Sequence, residues 1–207
     1  MNQPNKRIRC QLMNWLEDIE LKGSIVTLEP LNMDHVEPLQ TAVKDGEFWK
    51  LWYARVPAPE QMEDYVTIAI ADAGRGNIAF AVRINETKKI VGTTRFYNVD
   101  GLNRRPMLGY TWYAESACRT GINTETKLLL LQHVFEQKNA IAVEFRTHFF
   151  NQTSRTSIER LGAKQDGILR SHEIMHDGSI RDTVVYSILR HEWPTVKDNL
   201  LNRSNQT

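Results

Sequence analysis

Two stretches of the 207-residue chain place reactive side chains at spacings that suggest chemistry. The first is His172-Glu173-Ile174-Met175-His176. On a helix, imidazoles four residues apart meet one zinc ion, and the intervening glutamate activates water for hydrolysis. The second runs from Leu108 to Glu125, where aromatic residues ending at Trp112 and Tyr113 give way to a loop with Cys118, Arg119, Thr120 and Gly121. A long leucine-rich helix begins at about Thr124. The free amides at a helix start, with the positive end of its dipole, form a binding place for phosphate. Gly121 lets the backbone approach such a group closely, Arg119 adds charge, and Thr124 is suited to cap the helix. A glycine loop before a helix also occurs as a plain connection, so its surroundings decide.

The elements that carry these motifs separate them. Residues 167–175 alternate as a strand, Asp177-Gly178 is a tight-turn pair, and Thr183 to Leu189 is the returning strand of a hairpin. Four residues on a strand span roughly 13 Å, far beyond what two ligands at about 2 Å from one ion can bridge. The zinc reading is therefore refused, and the histidines are read as hairpin residues.

Ahead of the loop, Gly23 to Glu29 reads as a strand closing at Pro30, and Asn32-Met33-Asp34 as the cap of a helix running to about Val43. A second helix spans Glu60 to about Ala73, where Gly74 and Gly76 break it. Ile78–Ile84 and Ile90–Tyr97 form a hairpin, and Met107–Tyr113 is the strand leading into the loop. Beyond it, Leu128, Leu131, Val134 and Phe135 recur at helical spacing in Thr124–Lys138. A strand Ala140–Phe150, a short helix Thr153–Leu161 ended by Gly162, and the closing hairpin complete the order β–α–α–β–β–β–α–β–α–β–β. That order predicts a mixed sheet flanked by helices, an α/β arrangement.

The length suits one domain. With 26 Lys and Arg against 25 Asp and Glu, the chain offers no bulk field for gripping nucleic acid or an anionic membrane. No apolar run reaches the roughly 18 residues of a membrane span. Cys10 and Cys118 cannot build a disulfide framework, so a reducing, cytoplasmic setting is the natural reading. Lys6, Arg7 and Arg9 mimic the start of a signal peptide, but Glu17, Asp18 and Glu20 break the apolar stretch that a signal needs behind them. Residues 1–21 are read as a polar extension, 22–193 as the single domain, and 194–207 as a polar tail that frays from Asp198 onward.

The loop, the leucine-rich helix, the strand Glu144–Phe150 and the segment Asn151–Ala163 together resemble the GCN5-related N-acetyltransferases (GNAT), in particular the RimJ/RimL-like, ribosomal-protein-alanine branch. Ile25–Leu31, Gly92 and residues 176–182 fit the same branch, so the resemblance spans roughly residues 23–191. It implies a largely antiparallel sheet of about six to seven strands with a splayed parallel pair, about four helices, and acetyl-CoA as cosubstrate without a metal. The family's pyrophosphate pattern, [Gln/Arg]-x-x-Gly-x-[Gly/Ala], falls on Cys118 to Asn123. Gly121 matches, while Cys118 and Asn123 depart from it; Arg119 supplies the charge one place along, and Asn123 tolerates positive φ. The implied cofactor contacts run from Trp112 and Tyr113 through Cys118, Arg119, Thr120, Gly121, Ile122, Asn123 and Thr124 to Asn151, Ser154 and Arg155.

Many family members carry a tyrosine, where this chain has Ile158, to protonate the leaving thiolate. In the ribosomal-protein branch a serine at the 154 position is proposed for that job, which makes Ser154 the implied acid. The plainer reading of Ser154 is a hydroxyl that caps or bonds within the first helical turn. Acyl transfer needs a neutral amine, an N–H donor for the carbonyl oxygen and a route for the thiolate to leave. Candidate bases are Glu115, His148, His172 and Glu173, with Glu173 carried forward. Trp49, Trp52, Tyr53 and Tyr97 are candidates for the acceptor pocket, although such clusters are commonly part core. Arg104-Arg105 is read as a solvated loop in preference to a phosphate clamp, and direct transfer leaves Cys118 no nucleophilic task. The expected activity is acetyl transfer to a primary amine, on a protein N-terminus or a small molecule, by a monomer or homodimer. The alternatives are a non-catalytic acyl-CoA-binding protein, favoured by Ile158, and remotely the zinc peptidase.

Overall fold

Strand-forming stretches gather into one eight-stranded sheet, ordered β1-β2-β3-β4-β5-β6-β8-β7 in a computed structural model that describes residues 15–175 and 177–204. The strands are β1 (Leu21–Lys22), β2 (Val26–Pro30), β3 (Ile78–Ile84), β4 (Ile90–Asp100), β5 (Arg105–Tyr113), β6 (Ala142–His148), β7 (Lys164–Ile174) and β8 (Ile180–Leu189). The α-helices among the described residues are α1 (Val36–Lys44), α2 (Met62–Ala71), α3 (Ile122–Gln132), α4 (Gln152–Leu161) and α5 (Trp193–Ser204). Neighbouring strands run antiparallel except β5 and β6, which are parallel. The mixed sheet with one parallel pair agrees with the expectation, and the strand and helix numbers exceed it.

The additional elements lie at the ends. The sequence reading of residues 1–21 as a polar extension falls outside the described residues up to Asn14, but from Trp15 the chain is part of the domain. Leu16 is buried, Trp15 Nε1 donates to the Lys138 carbonyl at 3.0 Å, and Leu21–Lys22 pairs with β2. The carboxylates around these residues masked their apolar side. The expected fraying tail is corrected likewise: residues 193–204 form α5, which buries Trp193, Val196 and Leu200 and stacks Trp193 on Phe135 at 5.3 Å. An asparagine-rich composition hid that three- and four-residue spacing. Among the described residues no helix is long and apolar enough to cross a membrane.

β4 is central, and from Ile90 to Phe96 both of its faces are buried. Successive side chains point to opposite faces. Thr93 meets the Tyr65 hydroxyl of α2 at 2.9 Å and Thr94 meets Lys127 of α3 at 3.1 Å, so these helices cover opposite faces. Gly92 lets β5 approach, since a Cβ there would stand 2.1 Å from the Trp112 carbonyl oxygen. Between Thr93↔Trp112 and Arg95↔Gly109 the register slips, and Tyr110 takes a φ of 51°. This bulge bends β5. Beside it, β5 and β6 share only the registered pair Met107↔Glu144.

Candidate active site

Because β5 and β6 are parallel and paired only near their starts, they diverge towards their C-terminal ends, and each is followed by the start of a helix. After β5 the chain makes a 3₁₀ turn over Glu115–Ala117 and enters α3 through Arg119 (φ 63°) and Gly121 (φ 82°). Alternating backbone of this kind turns successive N–H groups into a concave nest. Among the described residues no side chain caps α3, and the Thr120 hydroxyl donates to the Ala117 carbonyl at 2.7 Å. The first-turn amides of α3 are therefore left for a ligand that brings its own acceptors.

The details correct several residue roles. α3 begins at Ile122 with Gly121 as its cap residue, so Thr124 lies inside the first turn. Asn123 is helical, not a positive-φ residue, and its Oδ1 accepts from the Tyr113 hydroxyl at 3.3 Å. Trp112 and Tyr113 point into the core, where burial pushes the Tyr113 phenol pKa up. Their backbone, not their rings, edges the gap. Arg119 is exposed. Partial burial, with Glu115 and Asp45 nearby, pushes the Cys118 thiol up, which suits no nucleophilic role.

At the second helix start, Asn151 caps α4: its Oδ1 accepts from the Ser154 amide at 3.0 Å. The cap is thus Asn151, and the half-buried Ser154 hydroxyl makes no hydrogen bond among the described residues. Asn151 keeps its amide N–H₂ to donate. Arg155 turns inward. It donates to the Tyr186 hydroxyl at 3.1 Å and the Phe149 carbonyl at 3.3 Å, and lies 5.2 Å over the Phe149 ring. These contacts engage its Nε and Nη1. Ile158 is core.

The face on the α2 side collects the acceptor candidates, but not as one group. Trp52 and Tyr53, from the loop between α1 and α2, lie 5.0 and 6.3 Å from the His148 ring, with Phe150 joining them. Trp52 and Phe150 are 52% and 64% exposed. Trp49 instead packs on the core, and Tyr97 stacks edge-on with Tyr110 at 5.0 Å. Burial raises the Tyr97 hydroxyl to about 12. His148 Nδ1 accepts from the Phe150 amide at 3.1 Å, so the neutral ring carries its proton on Nε2. Burial first, then Arg181 and Arg55 against an opposing Asp182, hold its pKa down. It is a neutral donor, not a ready base. Glu173 is ion-paired with Arg55 and approached by Arg181 at 3.8 Å, so a base role would first break an ion pair. Glu115 belongs to the 3₁₀ turn, where it is exposed. His172 Nδ1 meets the Thr183 hydroxyl at 3.1 Å. His172, Glu173 and Ile174 lie on β7, as the alternation predicts, and His176 is outside the described residues. Among the described residues no three potential metal ligands gather. Arg104 is exposed, and Arg105 bonds Glu144 at 3.1 Å beside the closed end of the gap.

Sequence reasoning missed Lys127. Only 5% exposed, it donates to the hydroxyls of Thr111 at 2.7 Å and Thr94 at 3.1 Å, fastening the bulged strand pair to α3. Burial pushes its pKa down to about 7. The signal was its place four residues before Leu131, on the apolar stripe.

A family model described as an acetyltransferase (GNAT) domain matches residues 26–164. A Bacillus subtilis (strain 168) protein named "Putative ribosomal N-acetyltransferase YdaF" is 31% identical over 104 residues, 50% of this chain and 56% of that protein. The matched region thus spans little more than half the length of that curated relative. The crystal structure of a GCN5-related N-acetyltransferase from Brucella melitensis has a TM-score of 0.79 at 27% identity, over 90% of this chain and 86% of that one. RimL, titled a ribosomal L7/L12 α-N-protein acetyltransferase, shares the fold at a TM-score of 0.73 and 18% identity, over 83% and 94%. The matched residues run through the bulge, the splayed strands and both helix starts, and the chain belongs to the GNAT acetyltransferase family.

Proposed function

We propose that the protein is an acetyl-CoA-dependent N-acetyltransferase that moves the acetyl group directly onto a primary amine. The observation that carries this reading is the uncapped start of α3, entered through left-handed Arg119 and Gly121 beside the divergent ends of β5 and β6. First-turn amides hold the pyrophosphate, Arg119 adds charge, and the Asn151 amide bonds the pantetheine arm. Bound acetyl-CoA supplies an activated thioester. Strand backbone in the gap, left unpaired by the bulge, polarises the carbonyl oxygen as it gains charge. The C–N bond forms as the C–S bond breaks, and the proton lost by the amine passes through water to the Ser154 hydroxyl, which relays its own proton to the departing sulfur and ends unchanged. His148, held neutral, donates at the acceptor side, and water takes the amine proton in place of the ion-paired Glu173. The relative with a ribosomal name supports protein N-termini among the acceptors. The buried Ile158 favours a second reading, a binding protein without turnover.

Calorimetry with acetyl-CoA, followed by thiol release over a panel of amines and peptides, tests both. Binding with thiol release is expected. Binding without release from any acceptor establishes the second reading, and no binding removes both.

A further inference from the structure

The α2 face holds a polar cavity of about 370 Å³ between α2, the start of β3, the end of β4 and Tyr110. Arg95 lines it and is only 5% exposed. Its guanidinium is sandwiched between the rings of Tyr65 at 4.2 Å and Tyr110 at 4.7 Å, and Nη2 reaches the Tyr65 carbonyl at 3.4 Å. Nε is buried without a hydrogen-bond partner, and no carboxylate among the described residues pairs with Arg95. Asp72, also in the lining, is paired with Arg75 at 3.3 Å, so the positive charge of Arg95 stays unbalanced. Also in the lining, Asn77 Oδ1 is buried and has no hydrogen-bond partner among the described residues.

A buried charge without a partner costs several kcal/mol, and flanking aromatic faces offset only part of that. A guanidinium that keeps an N–H without a partner attracts a carboxylate. The position matters as much as the charge. Tyr110, stacked on Arg95, is the bulge residue of β5, so the cavity adjoins the place where the divergent strands would present a thioester.

We propose that this cavity binds the carboxylate of the acceptor through Arg95, so that the enzyme selects primary amines that also carry a carboxylate. The inference rests on the transferase reading for the word acceptor, but not for the anion site itself.

The test uses the full chain, its Arg95→Met variant, and Asn77→Asp, which adds a carboxylate to the lining that Arg95 shares. The probes are ω-amino carboxylates of two to six carbons, their N-acetylated forms, and the carboxamide of each. Calorimetry reads the N-acetylated pairs, and thiol release with acetyl-CoA reads kcat/KM for the amines. For at least one chain length the carboxylate is expected to bind at least tenfold tighter than its amide, with a matching preference in kcat/KM. Arg95→Met is expected to abolish the preference. Asn77→Asp, which leaves the stacked arginine in place, is expected to lower it at least fivefold. Equal binding of carboxylate and amide at every length, or a preference that survives in both variants, overturns the proposal. A carboxylate preference in binding without a preference in turnover overturns the acceptor assignment. A protein that releases thiol without favouring carboxylates sinks this inference alone, whereas one that binds carboxylates but not acetyl-CoA sinks the transferase reading.

Discussion

Lys127→Met is expected to change the sign of its effect on stability with pH. The lysine is buried, bonded only to two threonine hydroxyls, and its pKa falls from 10.5 to about 7. Each pH unit between those values is worth about 1.4 kcal/mol, so the buried ammonium costs on the order of 5 kcal/mol at and below pH 7. Above about pH 10.5 the amine is neutral in both states and the cost is gone. Between the two values the unfolded chain binds more protons, so wild-type stability rises with pH in that window. Methionine removes the charge and also two hydrogen bonds, a loss of about 1 kcal/mol each. Thr94 and Thr111 keep their mutual contact at 2.8 Å. The variant is therefore expected to be more stable than wild type by about 3 kcal/mol near pH 6.5 and less stable by about 1 kcal/mol near pH 10, crossing near pH 9. Urea unfolding of both proteins across that range, taken as a difference, cancels the titration of all other groups. A difference that does not vary with pH refutes the argument, because an ammonium equally at ease in both states has no buried cost.

Other changes test the site and its supports. Gly121→Val puts a β-branched residue at a φ of 82° and a side chain into the amide nest, and acetyl-CoA affinity is expected to fall at least tenfold while circular dichroism is unchanged. Full affinity would place the pyrophosphate elsewhere. Ser154→Ala is expected to lower kcat by about 10²-fold with acetyl-CoA affinity unchanged; a wild-type rate removes the hydroxyl from the reaction. Glu125 accepts from the amides of Ser24, Ile25 and Val26 and from the Ser24 hydroxyl at 2.6–2.8 Å, tying β2 to α3. Glu125→Gln turns one acceptor into a donor facing donors and is expected to cost about 2–4 kcal/mol, seen as a Tm lower by roughly 5–15 °C. An unchanged Tm would show that those amides find other partners.

The sheet was legible because its strands alternate or run apolar between strong turn residues, and the splayed pair followed from the family resemblance. Local chemistry was less so. Gly121 announced a backbone role, and it has one, but Asn123 was assigned a positive φ that Arg119 carries instead. Arg155 was read as a cofactor contact, and sequence cannot show a tyrosine 31 positions away that takes its Nε. Glu173 looked like a base because its partner Arg55 sits in a different loop. These assignments share a cause: a charged side chain is assigned by what it could do when free, and only tertiary contacts decide whether it is.

The same reasoning explains why a net charge of +1 says little about the site. Glu125 is consumed by the β2 amides, Glu144 by Arg105 and Arg146, and Glu173 by Arg55. Arg95 on one face of the bulged strand pair, and Lys127 on the other, have no carboxylate among the described residues. Both groups touch the bulge, Arg95 through the Tyr110 ring and Lys127 through Thr111. The bulge therefore sits in a positive local field, to which Lys127 adds as it takes up a proton near and below pH 7. In a site of low dielectric such a field favours the carbonyl oxygen as it becomes negative. On the proposed reading these cations weaken the fold beside the place of transfer, and an acceptor carboxylate on Arg95 would leave Lys127 as the remaining source of that field.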